Sequence, residues 1–368
     1  MTGPAHRLLQ AIRPARHLHP ERLCATVGRI EEVLDRFLGR KRSRALLESS
    51  NSHELARRMP VGPAQARDLA SAIAASCDPD ELARISDMLE RSEISTAEAI
   101  DLHIRHKIPV SGLESDIVPV RAEGCWLHAI DGRCYLDLDS DYGAANLGAS
   151  NAELGLALMN QACELISMKE ERVHIPRARF LKTILEMMPG ALDRFYWQNS
   201  NGEAVDKALK IAKAFTGCRG VIALEGGFHG RTHGAVAVTH NPAYREPFGL
   251  AQEDWVHFVG SDDVRAVEAL LAEGRARTVI MELVQGEEAG IRPLDRGFAA
   301  EVRRSCDAHG AVLIFDEVQT GFGRVAEKPG QWFACQAYRT LPDILVIGES
   351  FGGGYPVRKR GQTPTLDT

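Results

Sequence analysis

Apolar residues in the first third of the chain recur at helical spacing. In "ERLCATVGRIEEVLDRFLG" (residues 21–39), Leu23, Val27, Ile30, Val33, Leu34 and Leu38 fall on one face, and Gly39 ends the run. "DPDELARISDMLERSE" (78–93) puts Pro79 near a helix start with acids in the first turn. "STAEAIDLHIRHK" (95–107) opens with a capping box, Ser95 and Glu98. "SSNSHELARRMPVGP" (49–63) reads as a linker or turn between them. Residues 1–112 are therefore expected to be an all-α extension, with no catalytic spacing in it.

After "IPVSGLESDIVPV" (108–120) the pattern changes. "CWLHAIDGRCYLDLDS" (125–140) predicts a β-hairpin turned at Asp131-Gly132. Helices are expected over 153–168, 177–188 and 203–216, the last ending at Gly217. Then "GVIALE", "TVIMELV", "AVLIFDE" and "PDILVIG" read as strands, interleaved with the helices "DDVRAVEALLAE" and "RGFAAEVRRSCDAHG". Strands apolar on both faces, separated by amphipathic helices, predict an α/β domain with a parallel sheet covered on both sides, over residues 113–357. "RKRGQTPTLDT" (358–368) has no apolar period and is expected to be a disordered tail.

Composition adds limits rather than identity. A chain of 368 residues, 44% of them apolar, can bury a large core and hold two domains, or one domain with an appendage. Its net charge of -6 argues against nucleic acid as a partner. Eight cysteines contain no C-x-x-C pair, so neither a zinc site nor a disulfide frame is indicated, and a reduced cytoplasm is expected. No apolar run approaches the roughly 20 residues of a membrane span. The Arg-rich beginning lacks the apolar core of a signal peptide.

Ligands of parallel sheets sit at the carboxyl ends of the strands, and four segments place polar residues there. In "WQNSNGEAVDKALKIAKAFTG", Ser200, Asn201 and Gly202 lead directly into a helix whose first N–H groups favour an anion; a phosphate cradle and an ordinary cap are both consistent with this. "EGGFHGRTHGAVAVT" is a glycine-rich turn presenting Phe228, as core packing or as a platform for a flat ring, and His229. With a glycine between His229 and His233 and no H-E-x-x-H, metal is not indicated. "VIMELVQGEEAG" ends a strand in Glu282, followed by Gln285, Glu287 and Glu288, acids of the kind usually solvated there. In "AVLIFDEVQTGFGR" five apolar residues bury a strand and Asp316 and Glu317 follow at once; a carboxylate there is costly to bury unless something cationic faces it. Pyridoxal phosphate would answer the first, second and fourth of these features, having a phosphate, a flat ring and a ring nitrogen that a carboxylate keeps protonated. No G-x-x-x-x-G-K-[ST] occurs, and no G-x-G-x-x-G opens a helix.

Residues 117–357 resemble a class III (ornithine/GABA type) pyridoxal-phosphate aminotransferase of fold type I. "LIFDEVQTGFGR" is the most specific match. "GCWLHAIDGRCYLDLDSDYGAANLG", "NSNGEAVDKALKIAKAFTG", "GGFHGRTHGAVAVT", "ELVQGEEAG" and "PDILVIGESFGGGYPV" keep the family's order. The resemblance implies a mainly parallel, seven-stranded sheet between helices and pyridoxal 5′-phosphate as cofactor. It also implies an amino donor, a 2-oxo acid acceptor and a homodimer. Asn201 and Gly202 would give backbone N–H groups to the phosphate, although the family has glycine where Asn201 stands. Phe228 would stack on the ring with His229 beside it, Asp316 would pair with the ring nitrogen, and Gln319 would approach the ring hydroxyl. Glu287 matches an acid that pairs with a mobile or substrate-binding arginine. Ala149 and Ala152 replace residues usual at the substrate entrance.

Position 349 is where the family carries the lysine that forms the imine with the cofactor, and here it is Glu349. Only an amine condenses with an aldehyde; a carboxylate could at most move a proton. Lys359, ten residues on, is a poor substitute. The resemblance also implies a small domain after this one, and the expectation from the sequence up to Thr368 is that it is missing. The expectation is an aminotransferase by descent that is impaired in turnover. The alternatives are a non-catalytic pyridoxal or pyridoxamine phosphate binder, and a pyridoxamine-phosphate enzyme with Glu349 as base.

Overall fold

The computed structural model describes residue 8 and residues 27–49, 63–91, 94–108, 112–113, 115–166, 168–169, 171–190, 192–250, 254–355 and 361–363. It divides into two units, Met1–Leu138 and Asp139–Thr368. The stretch read as a linker at 49–63 lies almost wholly outside the described residues, as does Leu23.

In the first unit, helices α1 (Val27–Leu38), α2 (Arg40–Ser49), α3 (Pro63–Ser76), α4 (Pro79–Arg91) and α5 (Thr96–His106) follow the helical periodicity. Ile30, Val33 and Leu34 of α1 close on Leu47, Leu69, Ile73, Ile85 and Leu89. Gly39 turns the chain out of α1 at φ +75°, a conformation that costs glycine little. Ser95 caps α5 by accepting the Glu98 N–H at 3.2 Å. Strands β1 (Pro119–Glu123), β2 (Trp126–Ala129) and β3 (Cys134–Leu136) form an antiparallel sheet, with Gly132 at φ +82° in the β2–β3 turn. The buried Arg29 ties it to the helices, donating to the carbonyls of Ile130 and Met88, each at 2.9 Å. By these contacts the hairpin belongs with the helices, although its composition resembles the sheet that follows.

The second unit opens with α6 (Ala152–Glu164) and α7 (Ile175–Leu185), then β4 (Arg194–Tyr196) and α8 (Asn201–Thr216). Next come β5 (Val221–Leu224), α9 (His233–Ala237), β6 (Val256–Val259), α10 (Val264–Ala272) and β7 (Thr278–Met281). A small ladder of β8 (Val284–Gln285) and β9 (Arg292–Pro293) precedes α11 (Arg296–His309), β10 (Val312–Asp316), α12 (Ala334–Tyr338), β11 (Ile344–Val346) and β12 (Gly361–Thr363). Seven strands make one sheet in the order β4-β12-β11-β10-β7-β5-β6. Five of these run parallel through β11, β10, β7, β5 and β6, while β12 is antiparallel to both its neighbours.

The apolar runs explain the layers. Successive strand side chains point to opposite faces. On β10, Leu313 and Phe315 join Val302 and Phe298 of α11, while Val312 and Ile314 join Ala204, Val205 and Ala208 of α8. Both faces are thus packed, as the sequence pattern predicts for an α/β fold, and the sheet is mainly parallel and seven-stranded, as the resemblance implies. The tail departs from expectation: Gly361–Thr363 pair with Val346 and with β4. Backbone hydrogen bonding needs no apolar period, so these residues gave no signal.

Candidate functional site

The carboxyl ends of β5, β7, β10 and β11 share one edge of the sheet, because the four strands are parallel and in register. Asp316, the last residue of β10, lies opposite Val346 of β11, three residues before Glu349. Its neighbour on the other side, across the Phe315–Met281 pair, is the end of β7, where Glu282 follows.

Asp316 is buried, and a cationic or donor partner faces it within the chain: His229 Nδ1 stands 2.9 Å from its Oδ2. Its other oxygen accepts the Val318 N–H at 3.2 Å. His229 is wholly buried. Burial opposes its charge, but the hydrogen bond and the charge of Asp316, with Glu282 beyond, outweigh that and raise its pKa. Since Nδ1 donates to the carboxylate, Nε2 is left facing the interior without a partner.

Glu282 corrects the expectation of a solvated acid. It is buried, accepting the Phe228 N–H at 2.9 Å and the Gly286 N–H at 3.4 Å. Burial pushes its carboxyl up to about 7; His229 opposes the rise and Asp316 adds to it. Glu282 therefore pins the backbone of the loop that carries Phe228 and His229. Periodicity alone offered a hint: Glu282 directly follows four buried residues of a central strand. Glu317 has a different task, accepting the N–H of Cys335 at 2.8 Å at the start of α12, and burial pushes it too up to about 7.

At the other wall, Ser200 caps α8 and accepts the Glu203 N–H at 3.2 Å. Asn201 and Gly202 occupy the first turn, whose N–H groups have no intrahelical acceptors. The Phe228 loop lies close over this turn. A Cβ on Gly202 would come within 2.9 Å of Thr232 Oγ1, and one on Gly230, at φ +126°, within 2.9 Å of the Gly202 Cα. Both glycines are needed for the approach. Thr232 Oγ1, His229 Nε2 and Asn201 Oδ1 are all buried with no hydrogen-bond partner. Such a cluster suits a polar guest, since buried polar atoms left unpaired are costly.

Phe228 meets Tyr244 edge-on at 5.7 Å between centroids. Arg231 lies over both rings, 5.9 Å from Phe228 and 4.9 Å from Tyr244, and makes no ion pair among the described residues. Tyr244 Oη donates to Glu288 Oε1 at 2.7 Å, and Asn241 Nδ2 donates to the other oxygen at 3.0 Å. Gln319 Nε2 donates to Glu287 Oε2 at 3.3 Å. Sequence reasoning passed over Arg231, Thr232 and Tyr244, which stand close to its chosen residues and differ from ordinary loop polarity only once folded.

Glu349 is half-buried and sits at φ +41°, unusual for a residue with a side chain. Asn201 Nδ2 donates to its Oε1 at 2.8 Å. The structure thus gathers Ser200, Asn201, Gly202 and Glu349 on one side, and His229, Asp316 and Glu282 on the other, joined by the loop of Phe228. Glu287 and Gln319 form their own pair.

Comparison with known proteins matches residues 109–365 to the family model described as aminotransferase class-III. The chain belongs to the class-III aminotransferases. Among curated relatives, an acetylornithine aminotransferase of Methanopyrus kandleri is 40% identical over 238 residues, which are 65% of this chain and 59% of that protein. A LysW-aminoadipate semialdehyde transaminase of Deinococcus radiodurans is 38% identical over 242 residues, 66% of this chain and 55% of that one. The chain thus spans less than two thirds of the length of either. Among solved structures, an (S)-enantioselective omega-transaminase from Thermomicrobium roseum aligns with a TM-score of 0.66 at 26% identity, covering 74% of this chain and 66% of that one. The family's cofactor is pyridoxal 5′-phosphate, and the fold is that of these transaminases. The α8 turn, with its N–H groups and the unpartnered Thr232 hydroxyl, fits a phosphate. An aromatic face at Phe228 and a carboxylate at Asp316 are the side-chain types that a flat ring with a protonated nitrogen would call for. The carboxylate of Glu349 does not fit an aldehyde that must condense with an amine. No described helix is long and apolar enough to cross a membrane.

Proposed function

We propose that this chain holds pyridoxal 5′-phosphate at the strand ends, and that it descends from enzymes moving an amino group from an amino acid or amine to a 2-oxo acid. The observation that carries this reading is the meeting of three distant segments: the α8 turn at Gly202, the Phe228 loop and Asp316. Asn201 and Gly202 would hold the phosphate through their N–H groups, with Thr232 Oγ1 as a further donor. Phe228 would cover one ring face. Asp316, oriented by His229, would keep a proton on the ring nitrogen, and Gln319 would approach the ring hydroxyl with Glu287 behind it. Bound and protonated, the ring withdraws electrons from the carbon next to the substrate nitrogen.

Arg231, stacked on two rings and free of ion pairs among the described residues, would receive a carboxylate of the donor. With the names of the relatives, this favours a terminal amine on a chain that also bears a carboxylate. Glu349 can hold or release a proton but cannot form an imine. The reading is therefore of a cofactor-binding chain that does not complete transamination by itself, in a cytoplasmic homodimer. Titration with pyridoxal phosphate, followed by borohydride reduction and peptide mapping, tests it. Saturable binding, abolished in Asp316→Ala and leaving no reduced lysine adduct in the cleft, is expected. Absence of saturable binding, or unchanged binding by Asp316→Ala, overturns it.

A further inference from the structure

Three residues on neighbouring strands of the first unit stand side by side: Arg121 of β1 pairs with His128 of β2, which pairs in turn with Cys134 of β3. Paired residues of an antiparallel sheet project from the same face, so register alone lines up a guanidinium, an imidazole and a thiol. Arg121 Nη2 stands 3.1 Å from His128 Nε2, and His128 Nδ1 stands 3.2 Å from Cys134 Sγ. A guanidinium can only donate, so Nε2 is the lone-pair nitrogen and the ring proton sits on Nδ1, toward the sulfur. Glu123 Oε2 accepts from Arg121 Nη1 at 2.9 Å and steadies it. His128 is therefore a donor to Cys134 and not its base. A donor there favours the negative sulfur, which is the form that attacks. Cys134 is exposed and borders a cavity of about 290 Å³, whose wall includes Arg84 and Asp87 of α4 and Phe37 of α1. Cys125 and Cys163 are exposed too, but neither makes a side-chain hydrogen bond among the described residues.

We propose that Cys134 is a thiol-modification site that exchanges with low-molecular-weight disulfides. His128 holds the charge on its sulfur, and Arg121 is a positioning residue that fixes the His128 proton. The thiolate of Cys134, its proton already given to water, attacks one sulfur of the disulfide. The S–S bond breaks as the new Sγ–S bond forms, and the other half leaves as a thiolate that takes a proton from water. The disulfide is itself the oxidant, and a small thiol reverses the step. This site is separate from the strand-end site and does not depend on how that one is read.

Brief reaction of the full chain with glutathione disulfide at neutral pH, quenched with acid and mapped by peptide mass, tests this. Cys134 is expected to take up the adduct about tenfold faster than Cys125 or Cys163 in the same molecules. His128→Phe should bring Cys134 to within about twofold of Cys125, with thermal melting to show folding. Arg121→Met frees the imidazole to turn a lone pair toward the sulfur, and should slow Cys134 about threefold. Arg121→Lys, again only a donor, should restore most of the rate, which loss of a merely structural side chain would not predict. Equal rates at the three exposed cysteines of the unaltered chain overturn the inference whether or not the variants fold. So does a Cys134 rate that either His128→Phe or Arg121→Met leaves unchanged.

Discussion

Asp316 Oδ2 and His229 Nδ1 stand 2.9 Å apart, although 87 residues separate them in sequence and both side chains are buried. Each satisfies the other where no water can. Removing one partner of a buried pair leaves the other uncompensated, typically at about 3–5 kcal/mol. Asp316→Ala should therefore destabilise the chain by about 3 kcal/mol in urea unfolding. Asp316→Asn, which keeps an oxygen toward Nδ1, should lose less than half of that. Equal losses for the two variants would refute the assignment of the contact as the main term.

Three buried groups hold protons more tightly in the folded chain than in the unfolded one. Burial raises Glu282 and Glu317 each from an ordinary 4.5 to about 7, and Asp316 raises His229 against the effect of burial. The folded state then binds more protons than the unfolded state, so stability declines as pH rises. For the two carboxyls the decline starts above 4.5 and is complete beyond about 7. For His229 the contribution is present below its ordinary 6.5 and lost as pH climbs through its folded value. For one carboxyl the change is worth about 3 kcal/mol. Urea midpoints measured from pH 5 to 8 should fall, and Glu317→Gln should flatten part of that fall. A rising profile in the wild type would contradict these shifts.

The close approach of the Phe228 loop to α8 makes two glycines sensitive. Gly230→Ala combines φ +126° with a Cβ 2.9 Å from the Gly202 Cα, and should cost about 1–3 kcal/mol. Gly202→Ala meets the Thr232 side chain at 2.9 Å and, less closely, its backbone nitrogen at 3.3 Å, so Thr232→Ala in the same chain should recover part of its loss. A double-mutant cycle by thermal melting reads this coupling directly. Strict additivity would mean that the loop does not rest on the helix turn.

Tyr244 reports on the far side of the site. Its hydrogen bond to Glu288 is the main cause of its raised pKa, with burial and the charge of Glu288 adding to it. Glu288→Gln should shift one of the six tyrosines to a lower titration pH in ultraviolet difference spectra. If no tyrosine moves, the bond between Tyr244 and Glu288 does not persist in solution.

Writing lysine back at position 349 gives a visible readout. Glu349→Lys alone places an amine against the Asn201 amide, whereas Glu349→Lys with Asn201→Gly opens the turn. The double variant is expected to form a yellow, borohydride-fixable adduct with pyridoxal phosphate more completely than the single one. An adduct of equal yield in both would show that Asn201 does not constrain position 349.

Much of this architecture was legible from local pattern. The apolar run before Asp316, the Ser200 cap and the Gly217 stop of α8 each encode themselves within a few residues. Short strands did not: β4, β6 and β12 have only three or four residues and no run long enough to signal pairing. Long-range partners were also hidden. Periodicity cannot tell that the acid at 282 folds under the Phe228 loop, or that position 349 reaches position 201. Both facts depend on strand order, which sets which ends share an edge.

Gly348 has Asn201 Oδ1 where its own Cβ would need to be, so no larger residue fits there while Asn201 remains. Positions 201, 348 and 349 are in this way interlocked like pawls on a ratchet. A side chain can enter at 348 only once the one at 201 has been shortened or turned away, so these two sites must change together.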